Sequence, residues 1–203
     1  MIRVAILLFE DVDLLDVGGP YEVFLTADRI AQRRGEAPQF EVITVSADGQ
    51  PVTSFGGLGL VPTAAANTVE KITVAVIPGA IDIEAVCARP EVVAAVEHLV
   101  AVASVKSSVC TGAFLLGDRN LLADIPWTTH FEDVPGLAQR LSSDDGQAHV
   151  GWVDAGEVVT AGGLSSGLAM ALHLVERLHS RELAETTAKQ LEYAWNPDGG
   201  VRA

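Results

Sequence analysis

The residue in this sequence best placed for chemistry is a cysteine between a strand pattern and a helix pattern. The segment reads Ser107-Ser108-Val109-Cys110-Thr111-Gly112-Ala113. Val105 to Val109 reads as a strand that ends at Cys110, and a helical pattern starts at once from Thr111 to Leu116. A reactive side chain presented on such an elbow needs small neighbours, so that the helix packs close to the strand; Ser108, Gly112 and Ala113 supply them. Amide dipoles at the start of the helix favour a thiolate. They predict a Cys110 pKa below the usual value of about 8.5. The alternative is a buried cysteine that only fills space, a common fate for a free thiol. The position at the elbow favours reactivity.

Four carboxylates precede Gly18-Gly19-Pro20. Glu10, Asp11 and Asp13 read as a solvated loop, the usual state of a charge run. Asp16 differs, because Leu15 and Val17 flank it. It is either a helix cap or a partly buried carboxyl beside the thiol. In the second case desolvation and a neighbouring thiolate raise its pKa, as a proton donor requires. The backbone at Ile77-Pro78-Gly79-Ala80 ends another strand and is able to aim N–H groups at developing negative charge, although a strand-ending turn looks the same. Thr128-Thr129-His130 adds a histidine that either lines the pocket or is satisfied in place. Cys87 and Cys110 are the two cysteines, without the spacing of a zinc site or a disulfide framework. Gly57-Leu58-Gly59 lacks the third glycine and the strand–helix context of a dinucleotide site. No metal and no cofactor are expected.

These residues need elements that bring them together. Val4 to Phe9 is an apolar run of the kind that is buried on both faces of a sheet. Pro20 suits a first helical position, and the helical period then runs to Gly35. Phe40 to Val45 reads as a strand, Gln50 to Val61 as a hairpin or meander, and Thr73 to Ile77 as a strand closed by Pro78-Gly79. Pro90 opens a helix. Trp127 to His130 reads as a short strand end, followed by a helix from Phe131 to Arg140. Strands at Val150 to Val153 and Glu157 to Thr160 precede a strongly periodic helix containing Leu168, Leu172 and Val175. A more polar helix spans Arg181 to about Tyr193. Alternating strands and helices predict one α/β domain over residues 1–203, with a mostly parallel sheet flanked by helices. In such sheets ligands bind at the carboxyl ends of the strands. Asp16, Gly79, Ala80, Cys110 and His130 all fall at that edge.

Composition narrows the partners. The formal net charge is −14, and Arg33-Arg34 is the densest basic spot, so nucleic acid is not expected. No apolar run has the length of a membrane span, and the short apolar start before Glu10 lacks the flanks of a signal peptide. The cytoplasm is the default location, and a small molecule the expected partner. Two motifs compete with Cys110. Gly163-Leu164-Ser165-Ser166-Gly167 matches a serine elbow, but His173 and His179 sit in the following helix and cannot fold back onto it, so Ser165 or Ser166 reads as a helix cap. Glu132 in His130-Phe131-Glu132 reads as a helix acid, and Cys87, Trp127 and Trp152 as packing residues.

The ordered set Leu15-Asp16-Val17-Gly18-Gly19-Pro20-Tyr21-Glu22-Val23-Phe24, Ile77-Pro78-Gly79, Ser108-Val109-Cys110-Thr111-Gly112-Ala113-Phe114 and Thr128-Thr129-His130 resembles the DJ-1/PfpI superfamily. Thr160-Ala161-Gly162-Gly163 and Gln190-Leu191-Glu192-Tyr193 extend the likeness over nearly the whole chain. Cys110-Thr111-Gly112 together with Asp16 is most similar to the branch of isocyanide hydratases and AraC-type regulator amino-terminal domains. The resemblance implies a doubly wound sheet of the flavodoxin-like, class I glutamine amidotransferase-like type, and a homodimer. It implies hydration of an organic isocyanide to an N-substituted formamide, with Cys110, Asp16 and Thr111 catalytic and Gly79, Ala80 and His130 around the substrate. A non-enzymatic sensor and a glyoxalase-like or redox-responsive thiol protein are the alternatives. The sequence departs from the pattern at Ala80, where a second glycine is usual, at Asp118-Arg119-Asn120, and in the short tail after Tyr193.

Overall fold

The computed structural model describes residues 1–203. Its centre is an eight-stranded sheet with strand order β10-β8-β9-β7-β6-β1-β2-β5. The inner strands are β1 (Ile2–Leu7), β6 (Ile72–Ile77), β7 (Ala103–Val109) and β9 (Val158–Ala161), with β2 (Phe40–Ser46) beside β1 and the short β5 (Ala64–Ala65) at one edge. At the other edge stand β8 (Trp152–Asp154) and β10 (Val201–Arg202). Every pairing is parallel except β8 with β9, which is antiparallel. Val4 to Leu7 and Val74 to Ile77 are buried along their length, as strands covered on both faces must be. The predicted meander is a separate two-stranded ribbon, β3 (Val52–Thr53) with β4 (Gly59–Leu60).

Helices α1 (Leu14–Arg33), α6 (Ser166–Leu178) and α7 (Arg181–Gln190) pack on one another against one side of the sheet. On the other side, α2 (Ile83–Cys87), α3 (Pro90–Val102) and α4 (Gly112–Gly117) form a second layer, with α5 (Val134–Leu141) against α4. The sheet faces and both helix layers close around a single cluster of buried apolar residues that contains Trp127, Trp152 and Cys110.

Two boundaries differ from the sequence reading in ways that matter for the site. α1 starts at Leu14 rather than at Pro20, so Pro20 lies inside the helix and Asp16 in its first turn. Proline has no N–H for the carbonyl four residues back, here that of Asp16, and normally weakens a helix interior. Packing holds this one together: a Cβ on Gly19 would stand 3.4 Å from Leu168, and one on Gly167 would stand 3.4 Å from the Pro20 ring and 3.1 Å from Val109. The two glycines therefore let the helices cross closely, with Leu168 and the Pro20 ring packed against them. The second difference is at Trp127 to His130, which is no strand. Trp127 makes one isolated bridge to Gly146. The segment is held instead by side chains: the Thr128 N–H donates to Thr160 Oγ1 at 2.8 Å, and Thr129 Oγ1 donates to the Cys110 carbonyl at 2.8 Å.

Candidate active site

The carboxyl ends of β6, β7 and β9 converge on Cys110. The residue has φ +55°, a left-handed conformation that few side chains other than asparagine and aspartate adopt willingly. It is fixed from both sides. Its N–H is shared between the carbonyls of Ala161 (3.2 Å) and Gly162 (3.0 Å), while its own carbonyl accepts from Thr129. A strained backbone persists where its surroundings over-determine it, and such residues gather at functional sites. Gly112 permits the tight turn, since a Cβ there would sit 2.2 Å from the Ile77 carbonyl oxygen.

Asp16 is completely buried. Its Oδ2 accepts a hydrogen bond of 2.9 Å from the Gly79 N–H, and its Oδ1 has no partner. One carboxylate oxygen of Asp16, one of Asp13 and the Cys110 Sγ all lie within 4.8 Å of one another. Burial raises the Asp16 carboxyl to about 7, against the pull of the Gly79 hydrogen bond and with a further push from Asp13. The expected low thiol pKa is corrected. Burial, followed by the Asp16 carboxylate, pushes the Cys110 thiol up to about 12. The Thr111 and Leu164 N–H groups stabilise the sulfur's charge and oppose that rise. They are outweighed because the sulfur has been taken out of water beside an acid. At neutral pH the resting site holds a protonated thiol next to a carboxyl near its own midpoint.

Gly79 and Ala80 lie beside the cysteine, but their amides are occupied. The Gly79 N–H serves Asp16, and the Ala80 N–H donates to Thr111 Oγ1 at 3.0 Å. The Thr111 hydroxyl returns its own proton to the Ala80 carbonyl at 2.8 Å. This strand end therefore holds the acid and the threonine in place, and offers no spare donor to a ligand. Alanine fits at position 80, whereas a Cβ at Gly79 would meet Thr111 Oγ1 at 2.5 Å.

His130 lines a cavity of about 430 Å³ together with Thr129, His149, Leu164 and Ser165. Its ring meets Gly163 through Cδ2, which a Cβ there would reach at 2.2 Å. Its Nδ1 is 3.5 Å from Asp133 and 3.7 Å from Glu132. The α5 helix begins only at Val134, so Glu132 is a neighbour of His130 rather than a residue of the helix.

Two contributors were not visible in the sequence reading. Leu164, at φ +39°, turns its N–H toward the Cys110 sulfur. The left-handed turn follows Gly162-Gly163, the only local signal for it. Asp13, read as solvated loop, is half-buried and faces the thiol. The competing readings resolve against the serine. The His173 Nε2 is 2.7 Å from Asp154, and His179 pairs with Glu36 at 3.3 Å. Ser165 stands at the α6 N-cap without making a capping bond, so the expected cap is absent. Asp118 binds Arg140, and Arg119 binds the Leu115 and Val93 carbonyls, so this departure from the pattern braces the α3–α5 layer. The tail after Tyr193 returns to the sheet edge as β10.

The DJ-1/PfpI family model matches residues 2–177. The chain belongs to the DJ-1/PfpI family. Within reach of this DJ-1/PfpI chain is an isonitrile hydratase of Pseudomonas putida, 31% identical over 196 residues, covering 97% of this chain and 80% of the relative. A THiJ/PfpI family protein from Pseudomonas syringae superposes with a TM-score of 0.81 at 27% identity, over 97% of this chain and 76% of the other. An AraC family transcriptional regulator from Pseudomonas putida shares the fold, with a TM-score of 0.78 at 24% identity over 94% of this chain and all of that structure. No helix of the structure is long and apolar enough to cross a membrane.

Proposed function

We propose that this protein hydrates a small organic isocyanide to the N-substituted formamide, with Cys110 as nucleophile and Asp16 as acid. The observation that carries the reading is the buried pair itself: a thiol within 4.8 Å of a carboxyl raised to about 7. The similarity to the isonitrile hydratase supports the choice of substrate. An isocyanide carbon is attacked by sulfur and must gain a proton as the S–C bond forms. Asp16 gives its proton to that carbon and takes up the proton leaving the thiol. The products of this step are a thioimidate on Cys110 and an Asp16 that is again an acid. A thiol of high pKa is a strong nucleophile once its proton has gone, and transfer to an adjacent carboxyl removes the need for a standing thiolate. The Thr111 and Leu164 amides hold the sulfur in position.

The test is formamide production from an aliphatic isocyanide by the wild type, Cys110→Ser and Asp16→Asn, with thermal melting as the control for folding. Turnover by the wild type is expected, with loss of about 10²–10⁴-fold in Asp16→Asn and no covalent adduct in Cys110→Ser. A folded wild type that leaves the isocyanide untouched removes the reading. It would favour the second reading, a ligand-binding sensor, which the protonated resting thiol and the fold shared with the AraC-type regulator support.

We also propose a symmetric homodimer in the cytoplasm. Leu14, Leu15, Phe55, Leu58 and Val61 are exposed apolar residues on the start of α1 and the β3–β4 ribbon, and such a concentration marks an interaction surface. Light scattering at micromolar concentration is expected to give twice the chain mass.

A further inference from the structure

Asp13 occupies the N-cap position of α1 with an extended backbone, yet its side chain makes no capping hydrogen bond. Aspartate at that position normally accepts from the exposed amides of the first helical turn, and helices lose stability without it. Here the carboxylate turns the other way, to within 4.8 Å of both Cys110 Sγ and the Asp16 carboxyl. Its backbone N–H donates to the Gly79 carbonyl at 3.0 Å, which ties it to the strand end that holds Asp16. The two acids differ in access. Asp16 is sealed, whereas Asp13 is half-buried. The titratable groups facing Asp13 are Asp16 from α1, Cys110 from the elbow and His130 from the loop before α5. His130 in turn faces Glu132 and Asp133 and lines the open cavity.

We propose that Asp13 is a second acid–base group of the Cys110 site, carrying protons between the sealed thiol–Asp16 pair and the open cavity. Its chemical step rests on the isocyanide reading. Once the thioimidate has formed, Asp16 is protonated and cannot take a proton from water, so the second half-reaction needs another base. The oxygen of a water then bonds to the thioimidate carbon as its proton passes to the Asp13 carboxylate. Asp13 returns that proton to the thioimidate nitrogen. The tetrahedral adduct then collapses: the C–S bond breaks, Asp16 protonates the leaving sulfur, and the hydroxyl proton of the adduct restores Asp16. The products are the N-substituted formamide, the thiol, protonated Asp16 and the Asp13 carboxylate. Burial raises the Asp13 carboxyl, and the nearby His130 opposes that rise.

The experiment is Asp13→Asn, which keeps the shape and the ability to cap α1, read by intact mass and by turnover. Mixed with an aliphatic isocyanide, the variant is expected to accumulate enzyme heavier by the mass of one isocyanide, with steady-state formamide release lowered by about 10²–10⁴-fold. Asp16→Asn is expected to accumulate none. Wild-type turnover by a folded Asp13→Asn overturns the proposal, and so does loss of adduct formation itself, which would put Asp13 in the first half-reaction. If the wild type does not hydrate isocyanides, that reading fails by itself and iodoacetamide alkylation decides the role of Asp13. Removing a carboxylate this close is then expected to speed alkylation of Cys110 at pH 9 by roughly three- to tenfold. An unchanged rate overturns the proposal.

Discussion

Replacing Asp16 by asparagine is expected to stabilise the fold above neutral pH while removing activity. The folded carboxyl stands at about 7 against an ordinary 3.8. The folded state therefore binds the proton more tightly than the unfolded chain. This contribution is fully present below about pH 3.8 and is lost as the pH rises to 7. Three units of difference correspond to about 4 kcal/mol of stability forgone at pH 8. Asparagine escapes that penalty, and its carbonyl still accepts from the Gly79 N–H. Its amide group, however, takes the place of Oδ1, which has no hydrogen-bond partner, and an orphaned buried donor costs about 1–3 kcal/mol. The net gain at pH 8 is about 1–3 kcal/mol. At roughly 2–4 °C per kcal/mol for a domain of this size, the melting temperature rises by roughly 2–12 °C. Near pH 4 most of the wild-type penalty is gone, and the protonated acid then carries its own unpartnered O–H at Oδ1, so the two proteins converge in stability. Thermal melts of both proteins from pH 4 to 8 make the comparison. A difference that does not change with pH, or a variant less stable throughout, would refute the reasoning about the buried carboxyl.

Other consequences are as direct. The pH midpoint for iodoacetamide alkylation of Cys110 is expected near 12, and lower in Asp16→Asn, since a carboxylate within 4.8 Å is gone; an unchanged midpoint would detach the two groups. Thr111→Val leaves both the Ala80 N–H and its carbonyl without the hydroxyl they share, and should lower stability by about 2–4 kcal/mol in denaturant unfolding, whereas Thr111→Ser should restore most of it. Gly112→Ala places a methyl 2.2 Å from the Ile77 carbonyl and should cost about 2 kcal/mol or more with loss of turnover; a silent substitution would show that the elbow is looser than described.

The sequence carried the sheet and the elbow because both are written in local patterns. Apolar runs such as Val4 to Phe9 are legible as buried strands, and Val109-Cys110-Thr111-Gly112 is legible as a strand turning into a helix. What it did not carry was set by packing across the chain. Pro20 looked like a helix start, and only the close approach of Gly19 and Gly167 to the facing helices lets α1 run through it. Trp127 to His130 looked like a strand, but Thr160 and the Cys110 carbonyl hold it through side chains. Asp13 looked like one charge in a solvated run, because nothing in the run shows which carboxylate turns inward. The thiol pKa was misjudged because the helix behind Cys110 was visible and the desolvation around it was not. Asp16, Cys110, Thr111, Gly79, Ala80 and His130 do gather at one edge, although the amides of Gly79 and Ala80 hold protein groups rather than a substrate.

The glycine-lined crossing of α1 and α6 also bears on how the protein opens. α1 carries Asp13 and Asp16 at its start, and α6 begins two residues after Leu164, so both walls of the thiol hang from helices that meet at Gly19, Pro20 and Gly167. The Leu168 side chain and the Pro20 ring fill the room that the two glycines leave, so neither helix shifts there without disturbing the seam. The first turns of α1 and α6 should then exchange their amide hydrogens as one cooperative unit, so that the acids and the Leu164 amide leave the sulfur together.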